Sequence, residues 1–298
     1  MRRLEGSEAM SAGAAGWESG RDAALPAPQA RAATASGPPS GLPGWLPWLL
    51  PIPLLLLLAL PLVALLWRGV AMGEPLPAGA WSALRQALAL SLGTSLISMA
   101  VVVAAGTPLG WLVARRRFRG AGIVDVLIDL PVVLPPAVAG IALLLAFGRF
   151  GLAGQWLDRA GITLGFTTAA VVLAQVFVSA PFYVRAAAGA FARIDRDVEE
   201  MAADLGATPW RVLRTVTMPL ALPGLLAGLA LAWARALGEF GATIMFAGNF
   251  PGVTRTMPLA IYSAYGSGDL ETAVALSIAG LAASAGVLAA VRRVGGRR

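Results

Sequence analysis

The 298-residue chain contains no cysteine, no histidine and no lysine, so all 23 of its basic residues are arginine. Without cysteine it forms neither disulfides nor thiolate nucleophiles, and without histidine it lacks common zinc ligands and the base of a Ser-His-Asp triad. A phosphate-binding P-loop requires a lysine on the nucleotide phosphates. We therefore predict no catalytic residue, no metal site and no cofactor.

Charged residues are also scarce, at 13% against 57% hydrophobic residues, and the mean hydropathy is +0.73. This balance is too apolar for a soluble domain of this length and indicates a polytopic membrane protein in the lipid bilayer. The net charge of +7 could indicate nucleic-acid binding. However, the arginines lie mainly between apolar runs and at the chain ends, where membrane topology explains them, so no nucleic-acid partner is predicted.

Six apolar runs predict six transmembrane helices and therefore an all-α membrane protein. Each run is long enough to cross a hydrocarbon core of about 30 Å at about 1.5 Å per residue. The preceding residues, 1–43, are rich in Ala, Gly, Pro and Ser and predict a disordered tail. The first run starts too late and is too long for a signal peptide. The predicted spans are 45–67, 88–114, 125–147, 167–190, 219–246 and 270–291.

The arginines predict the orientation of these spans. If the N-terminus is cytoplasmic, the cytoplasmic pieces carry 17 arginines and the external pieces carry 5. This asymmetry follows the positive-inside rule and fits an even number of spans. We expect a multi-pass protein of the cytoplasmic (inner) membrane with both termini in the cytoplasm. The segment between the fourth and fifth spans is then cytoplasmic as well.

That segment has the sequence pattern of two short helices. The acidic residues near the start of the first helix, where they favour the positive end of the helix dipole, are Asp195, Asp197, Glu199 and Glu200. Gly206 is suited to end it, and Thr208-Pro209 predicts a cap and the first residue of a second helix. Apolar residues at helical spacing, Val198, Met201, Ala202 and Leu205, form one stripe. An amphipathic segment lying on the bilayer surface would show a similar pattern.

The same segment resembles the EAA loop of ABC-transporter permeases. The family pattern is Glu-Ala-Ala, three residues, Gly, nine residues, Ile, one residue and Leu-Pro. Its spacing is kept by Glu200, Ala202, Gly206 and Pro219, whereas Met201, Val216 and Met218 replace Ala, Ile and Leu. The resemblance implies a cytoplasmic coupling helix that docks on an ATPase subunit. The coupling residues that it implies are Glu199, Glu200, Ala202, Ala203, Gly206, Ala207 and Pro219.

The resemblance further implies a type 1 permease transmembrane domain over residues 85–293. Residues 44–84 would form the first span and an external loop, and 294–298 a short cytoplasmic end. The implied partners are a dimer of ABC ATPase subunits, a second permease subunit that is a copy of this chain, and an extracytoplasmic oxyanion-binding protein. ATP hydrolysis would belong to the ATPase, so the chain itself is not expected to be an enzyme.

The fifth predicted span contains Arg235 and Glu239, which are four residues apart and can share a helix face. Charges within a span face a partner or a cavity because they are costly in lipid. Such a pair could line a path, or it could only fix the packing of the helices. The sequence alone leaves both roles open.

Residues 235–262 resemble the molybdate and tungstate permeases, especially in 238–243, 246–249 and 254–262. Sulfate and thiosulfate permeases share a less similar version, so a sulfate permease is the alternative. Hydroxyls, amides and helix N-termini suit a tetrahedral dianion. The predicted substrate-path residues are Arg235, Glu239, Thr243, Asn249, Thr254 and Thr256.

Two other classes of membrane protein remain as alternatives. A secondary transporter would need coupling carboxylates or unwound half-helices near the bilayer midplane, preferably within an inverted repeat. Glu239 is the only acid that the sequence places deep in a span, and no repeat is evident. A membrane-embedded enzyme without His, Cys or Lys would rely on carboxylates or on serine-based chemistry, and no pair of carboxylates falls at a suitable depth. Copurification with an ATPase would separate a permease from both classes.

Overall fold

The computed structural model describes residues 49–72, 78–115 and 119–295, and within these ranges the regular structure is entirely helical. The predicted tail, residues 1–43, and residues 296–298 of the predicted cytoplasmic end lie outside the described residues. The chain divides by packing into two units, Met1–Leu58 and Ala59–Arg298. The described part of the first unit, residues 49–58, contains the beginning of helix α1.

Twelve α-helices and one π-helix occupy the described ranges, and the all-α prediction is confirmed. The helices are α1 (Ile52–Ala71), α2 (Ala78–Arg115), α3 (Ala121–Val133), α4 (Pro136–Phe147), α5 (Gly154–Arg159), α6 (Thr168–Ala192), α7 (Arg196–Asp204), α8 (Pro209–Val212), α9 (Met218–Leu237), α10 (Gly241–Phe246), α11 (Met257–Gly266) and α12 (Leu270–Gly295). The π-helix, Leu213–Thr217, lies between α8 and α9.

Five helical stretches in the described residues are long and apolar enough to cross a membrane, and the pair α3–α4 makes a sixth if it is one broken span. This agrees with the six predicted spans. The pair bends by 120° where an uninterrupted helix over 125–147 was expected. Leu134 is extended there, because a residue before proline is driven out of the helical region, and Pro135 follows it.

The fifth predicted span, 219–246, is wrong as one continuous helix. Helix α9 ends at Leu237, residues 238–240 are not helical, and the chain resumes as the six-residue helix α10. The other spans differ mainly at their ends. The second is longer than predicted, because α2 runs for 38 residues from Ala78.

Helix α6 lies at the centre of the unit Ala59–Arg298, packed against α2 and α9. Its buried Tyr183 and Phe191 pack with Met99 of α2 and Leu225 of α9. Small residues allow this close packing. A Cβ added to Gly110 of α2 would lie 2.7 Å from the Cβ of Ala187 and 3.1 Å from the backbone nitrogen of Ala188. In lipid, such close contact of helix backbones is a main source of helix association.

A stripe of buried hydroxyls on α2 supplements this packing. The Ser95 hydroxyl accepts a 3.0 Å hydrogen bond from the indole of Trp233 on α9. The Ser98 hydroxyl donates to the side-chain oxygen of Gln175 on α6, at 3.0 Å. The Ser91 hydroxyl accepts from the backbone N–H of Met257, where α11 begins, at 2.7 Å. These bonds join α2 to three other helices where water cannot compete.

Candidate functional site

The segment between α6 and α9 begins with helix α7, which has the predicted ends. Asp195 is the N-cap, and its carboxylate accepts a 3.1 Å hydrogen bond from the backbone N–H of Asp197. Asp197 and Glu199 lie in the first turn, near the positive end of the helix dipole. Gly206 follows the helix with a φ of 86°, in the left-handed region that favours glycine. Local signals therefore define this helix.

Helix α8 also starts as predicted, but the π-helix that follows it was not predicted from the sequence. The Thr208 hydroxyl accepts a hydrogen bond from the N–H of Arg211, and Pro209 is the first helical residue. After Val212 the chain turns into the π-helix, which leads directly into α9. Pro219 therefore lies in the first turn of α9, and it is exposed.

The two predicted coupling glutamates lie in different environments. Glu200 is exposed, and so are three apolar side chains of the segment, Met201, Leu205 and Trp210. Leu205 is 90% and Trp210 69% exposed, which is high for large apolar residues. We call Glu200, Met201, Leu205 and Trp210 the outer face. Among the other predicted coupling residues, Ala203 and Gly206 are exposed and Ala202 and Ala207 are half-buried.

Glu199 turns away from the outer face and is bound within the chain. Its Oε1 and Oε2 lie 2.6 and 2.5 Å from Nη2 of Arg115, the last residue of α2. Its Oε1 also accepts a 2.6 Å hydrogen bond from the hydroxyl of Thr217, the last residue of the π-helix. Sequence reasoning did not find Arg115 or Thr217 as partners, because no local pattern links residues so far apart.

The break after α9 contains the charged pair that was predicted from the sequence. Arg235 Nη1 lies 2.7 Å from Glu239 Oε2, and the Glu239 side chain is only 1% exposed. The other carboxylate oxygen accepts a 2.7 Å hydrogen bond from the backbone N–H of Ala242, in the first turn of α10. Both oxygens of Glu239 are therefore engaged in joining α9 to α10. This geometry favours a structural role for Glu239, one of the two roles that the sequence left open.

The loop between α10 and α11 is held by two of the predicted path residues. The Asn249 amide donates to the hydroxyl of Ser263 at 2.8 Å, and its side-chain oxygen accepts from Nε of Arg255 at 2.9 Å. The Thr254 hydroxyl accepts from the N–H of Phe250 at 2.9 Å. Arg255 is not among the path residues predicted from the sequence.

Two predicted path residues have unsatisfied hydroxyls. Thr243 is fully buried and Thr256 is 1% exposed, and neither side-chain oxygen has a hydrogen-bond partner among the described residues. A buried polar atom without a partner costs free energy. Such atoms are therefore candidates for transient contacts with a polar solute. Among the predicted path residues, Arg235 and Glu239 therefore form an ion pair, and Asn249 is hydrogen-bonded to Arg255. The side-chain hydroxyls of Thr243 and Thr256 have no partner among the described residues.

Arg255 also borders a cavity of about 550 Å³ with Ser263, Ser267, Asp269 and Thr272 among its lining. Hydrogen bonds from the hydroxyl and the backbone N–H of Thr272 lower the pKa of Asp269 below its ordinary value. Asp269 therefore stays a carboxylate at neutral pH. The cavity carries charges of both signs in addition to hydroxyl groups.

Comparison with known proteins identifies the family. Residues 106–297 match the family described as "binding-protein-dependent transport system inner membrane component". A Mycobacterium tuberculosis protein named "Molybdenum transport system permease protein ModB" is 47% identical over 246 residues, which are 81% of this chain and 90% of that protein. The ModB of Escherichia coli K12 is 45% identical over 179 residues, 60% of this chain and 78% of that protein.

Solved structures support the same fold. A bacterial alginate ABC transporter, in complex with an alginate pentasaccharide-bound periplasmic protein, matches with a TM-score of 0.64 at 16% identity, over 84% of this chain and 94% of that chain. The MetNI methionine ABC transporter matches with a TM-score of 0.55 at 18% identity, over 74% of this chain and 97% of that chain. The chain therefore belongs to the inner-membrane permease family of binding-protein-dependent ABC transport systems.

Proposed function

We propose that this chain is the membrane-spanning permease subunit of an ATP-driven importer that moves molybdate or tungstate into the cell. It would work as a pair with a second copy of itself, bound to two ATPase subunits and supplied by an extracytoplasmic binding protein. The main support for this choice of substrate is the 47% identity, over 81% of the chain, to a protein named for molybdenum transport.

The outer face of α7 and α8 is the proposed docking site of the ATPase. Met201, Leu205 and Trp210 are large apolar side chains in a segment that the arginine distribution predicts to be cytoplasmic. Burying such a side chain against a partner contributes roughly 1.5–3 kcal/mol. The exposed carboxylate of Glu200 adds a charge that can select an arginine or lysine on the partner.

The substrate path is proposed to run past the α9–α10 break and the following loop. Thr243 and Thr256 have buried hydroxyls without internal partners, and these could donate to the oxygens of a tetrahedral dianion. Arg235 is 31% exposed although it lies in a span, so its guanidinium remains partly accessible. Glu239 would position Arg235 and α10, since both of its oxygens are engaged. Binding along this path would be weak, with high affinity left to the binding protein.

The first test of this function is ATP-dependent uptake into proteoliposomes. The chain would be reconstituted with its ATPase and binding protein, and uptake of molybdate would be compared with uptake of tungstate and sulfate. We expect molybdate and tungstate to enter, and excess sulfate not to compete. If only sulfate enters, the chain is still a permease subunit, but the assignment of molybdate or tungstate as its substrate is wrong. If no oxyanion enters and no ATPase binds, the permease proposal is wrong.

Docking is tested by substitutions on the outer face. Trp210→Ala and Glu200→Arg should reduce copurification of the ATPase and reduce uptake in proportion. The matched control is Trp156→Ala, because Trp156 is 65% exposed but lies on α5, on the side predicted to be external. If Trp156→Ala reduced ATPase binding as much as Trp210→Ala, the docking assignment would be wrong.

A further inference from the structure

The carboxylate of Glu199 joins three elements at one point. It binds Arg115 at the end of α2 and Thr217 at the end of the π-helix, while its own backbone belongs to α7. Arg115 lies 84 residues before Glu199 and Thr217 lies 18 residues after it. Helix α7 is therefore connected through one side chain to the ends of two membrane spans, because the π-helix runs directly into α9.

The environment of this contact makes it stronger than an ordinary surface ion pair. The Arg115 and Glu199 side chains are each only 16% exposed, so water screens the pair weakly. The guanidinium also lies 5.7 Å from the centre of the Trp111 ring, one turn earlier on α2. Hydrogen bonds between charged groups are about twice as strong as those between neutral groups. Removing one partner would leave the other charge poorly compensated.

The spans on both sides of this contact belong to the same packed core. Both α2 and α9 pack against α6, and the π-helix beside the contact is an uncommon element that occurs often at functional sites. If α7 is displaced, the force reaches α2 through Arg115 and α9 through Thr217. Glu200, the next residue, is exposed and has no such internal bond among the described residues.

We propose that Glu199 is a positioning residue that transmits the movement of α7 to α2 and α9, and that it is not a contact of the ATPase. This inference rests on the proposed permease function. The inference assigns a different role to each of the two adjacent glutamates. Glu200 belongs to the docking surface, and Glu199 makes α7 move as one body with the ends of two spans.

The first measurement is the number of ATP molecules hydrolysed per molybdate imported, in proteoliposomes that contain the whole complex. Glu199→Gln should retain the ATPase on copurification but import less molybdate per ATP. Coupling energies between sites typically correspond to factors of about 5 to 150, so we expect at least about a fivefold loss. The exchange Arg115→Glu with Glu199→Arg should recover part of the coupling. Glu200→Gln should instead weaken ATPase binding, and the matched exchange, Arg115→Glu with Glu200→Arg, should not restore that binding.

Thr217→Val provides a milder variant in case Glu199→Gln does not fold. It removes only the hydroxyl that donates to Glu199, and it should lower the yield per ATP in the same direction by a smaller factor. Loss of ATPase binding in Glu199→Gln equal to that in Glu200→Gln would overturn the inference. So would an unchanged ratio of ATP to molybdate in both Glu199→Gln and Thr217→Val.

A distance measurement separates this inference from the choice of substrate. Because the chain has no cysteine, spin labels can be placed at Leu112→Cys on α2 and Asp204→Cys on α7 without background labelling of the chain itself. In the complex with ATPase, ATP should leave the distance between the two labels unchanged when no other residue is substituted. It should change that distance when Glu199→Gln is also present. A distance that changes with ATP in the otherwise native chain would overturn the inference even if molybdate is imported. If molybdate is not imported but the distance between the labels stays unchanged with ATP, only the assignment of molybdate as substrate is wrong.

Discussion

Removing the guanidinium of Arg235 should destabilise the protein more than neutralising its partner Glu239. Glu239 is 1% exposed, so water cannot solvate its carboxylate when Arg235 is lost. Arg235→Gln would leave the carboxylate with the N–H of Ala242, at 2.7 Å, as its remaining donor. Breaking a buried pair in this way costs about 3–5 kcal/mol.

Glu239→Gln should cost less, about 1–3 kcal/mol, because the amide oxygen can still accept from the N–H of Ala242. Arg235 is 31% exposed, so its charge can be partly solvated once its partner is neutral. In the double variant Arg235→Gln with Glu239→Gln no buried charge remains. Its loss of stability should therefore be smaller than the sum of the two single losses.

The assay is denaturant-induced unfolding in mixed micelles, followed by the fluorescence of the protein's 9 tryptophans. Trp233 lies on α9, two residues before Arg235, so it should report on this helix. The reasoning is refuted if Arg235→Gln costs less than Glu239→Gln. It is also refuted if the two losses are additive, since the pair would then not hold the break between α9 and α10.

Three further predictions concern a position without room for a side chain, a glycine with a left-handed backbone conformation and a buried hydroxyl without a partner. Gly110→Ala should destabilise the protein by about 1–3 kcal/mol, because the added Cβ would lie only 2.7 Å from the Cβ of Ala187 and would crowd the backbone of α6, whereas Gly189→Ala, with open space around it, should be neutral or stabilising in the same unfolding assay. Gly206→Ala should cost about 1 kcal/mol, because its φ of 86° is unfavourable for alanine, and it should speed amide hydrogen exchange in α7 without altering the spans. Thr243→Val should leave stability unchanged or improved, since its buried hydroxyl has no partner, but should lower the maximal rate of molybdate uptake; unchanged uptake would remove Thr243 from the path.

The parts of the fold that the sequence predicted correctly depend on signals within a few residues. The apolar runs predicted the membrane helices because each span must be apolar along its own length. The ends of α7 and the start of α8 were predicted because Asp195, Gly206 and Thr208-Pro209 act on their immediate neighbours. The resemblance to ABC permeases also depends on a local spacing, and the family comparison confirmed it.

The apolar runs predicted two spans but not the breaks within them, because hydrophobicity does not distinguish a straight helix from a bent one. The α3–α4 bend follows from the prolines after Leu134, which force that residue out of the helical region without lowering the hydrophobicity of the run. At the α9–α10 break, Glu239 binds Arg235 and the N–H of Ala242 together. The sequence spacing predicted the pair but not the loss of helix between its members.

The sequence by itself determined the helical class, the membrane location, the exclusion of a P-loop and the ends of the short helices, because composition and neighbouring residues decide these properties. Only the tertiary structure decided which glutamate faces inward, because Arg115 reaches Glu199 only after α2 has packed against α6. It also decided that Arg255 holds Asn249 and that the hydroxyls of Thr243 and Thr256 are left without partners. Contacts between distant residues depend on how the helices pack, and no local pattern in the chain encodes that packing.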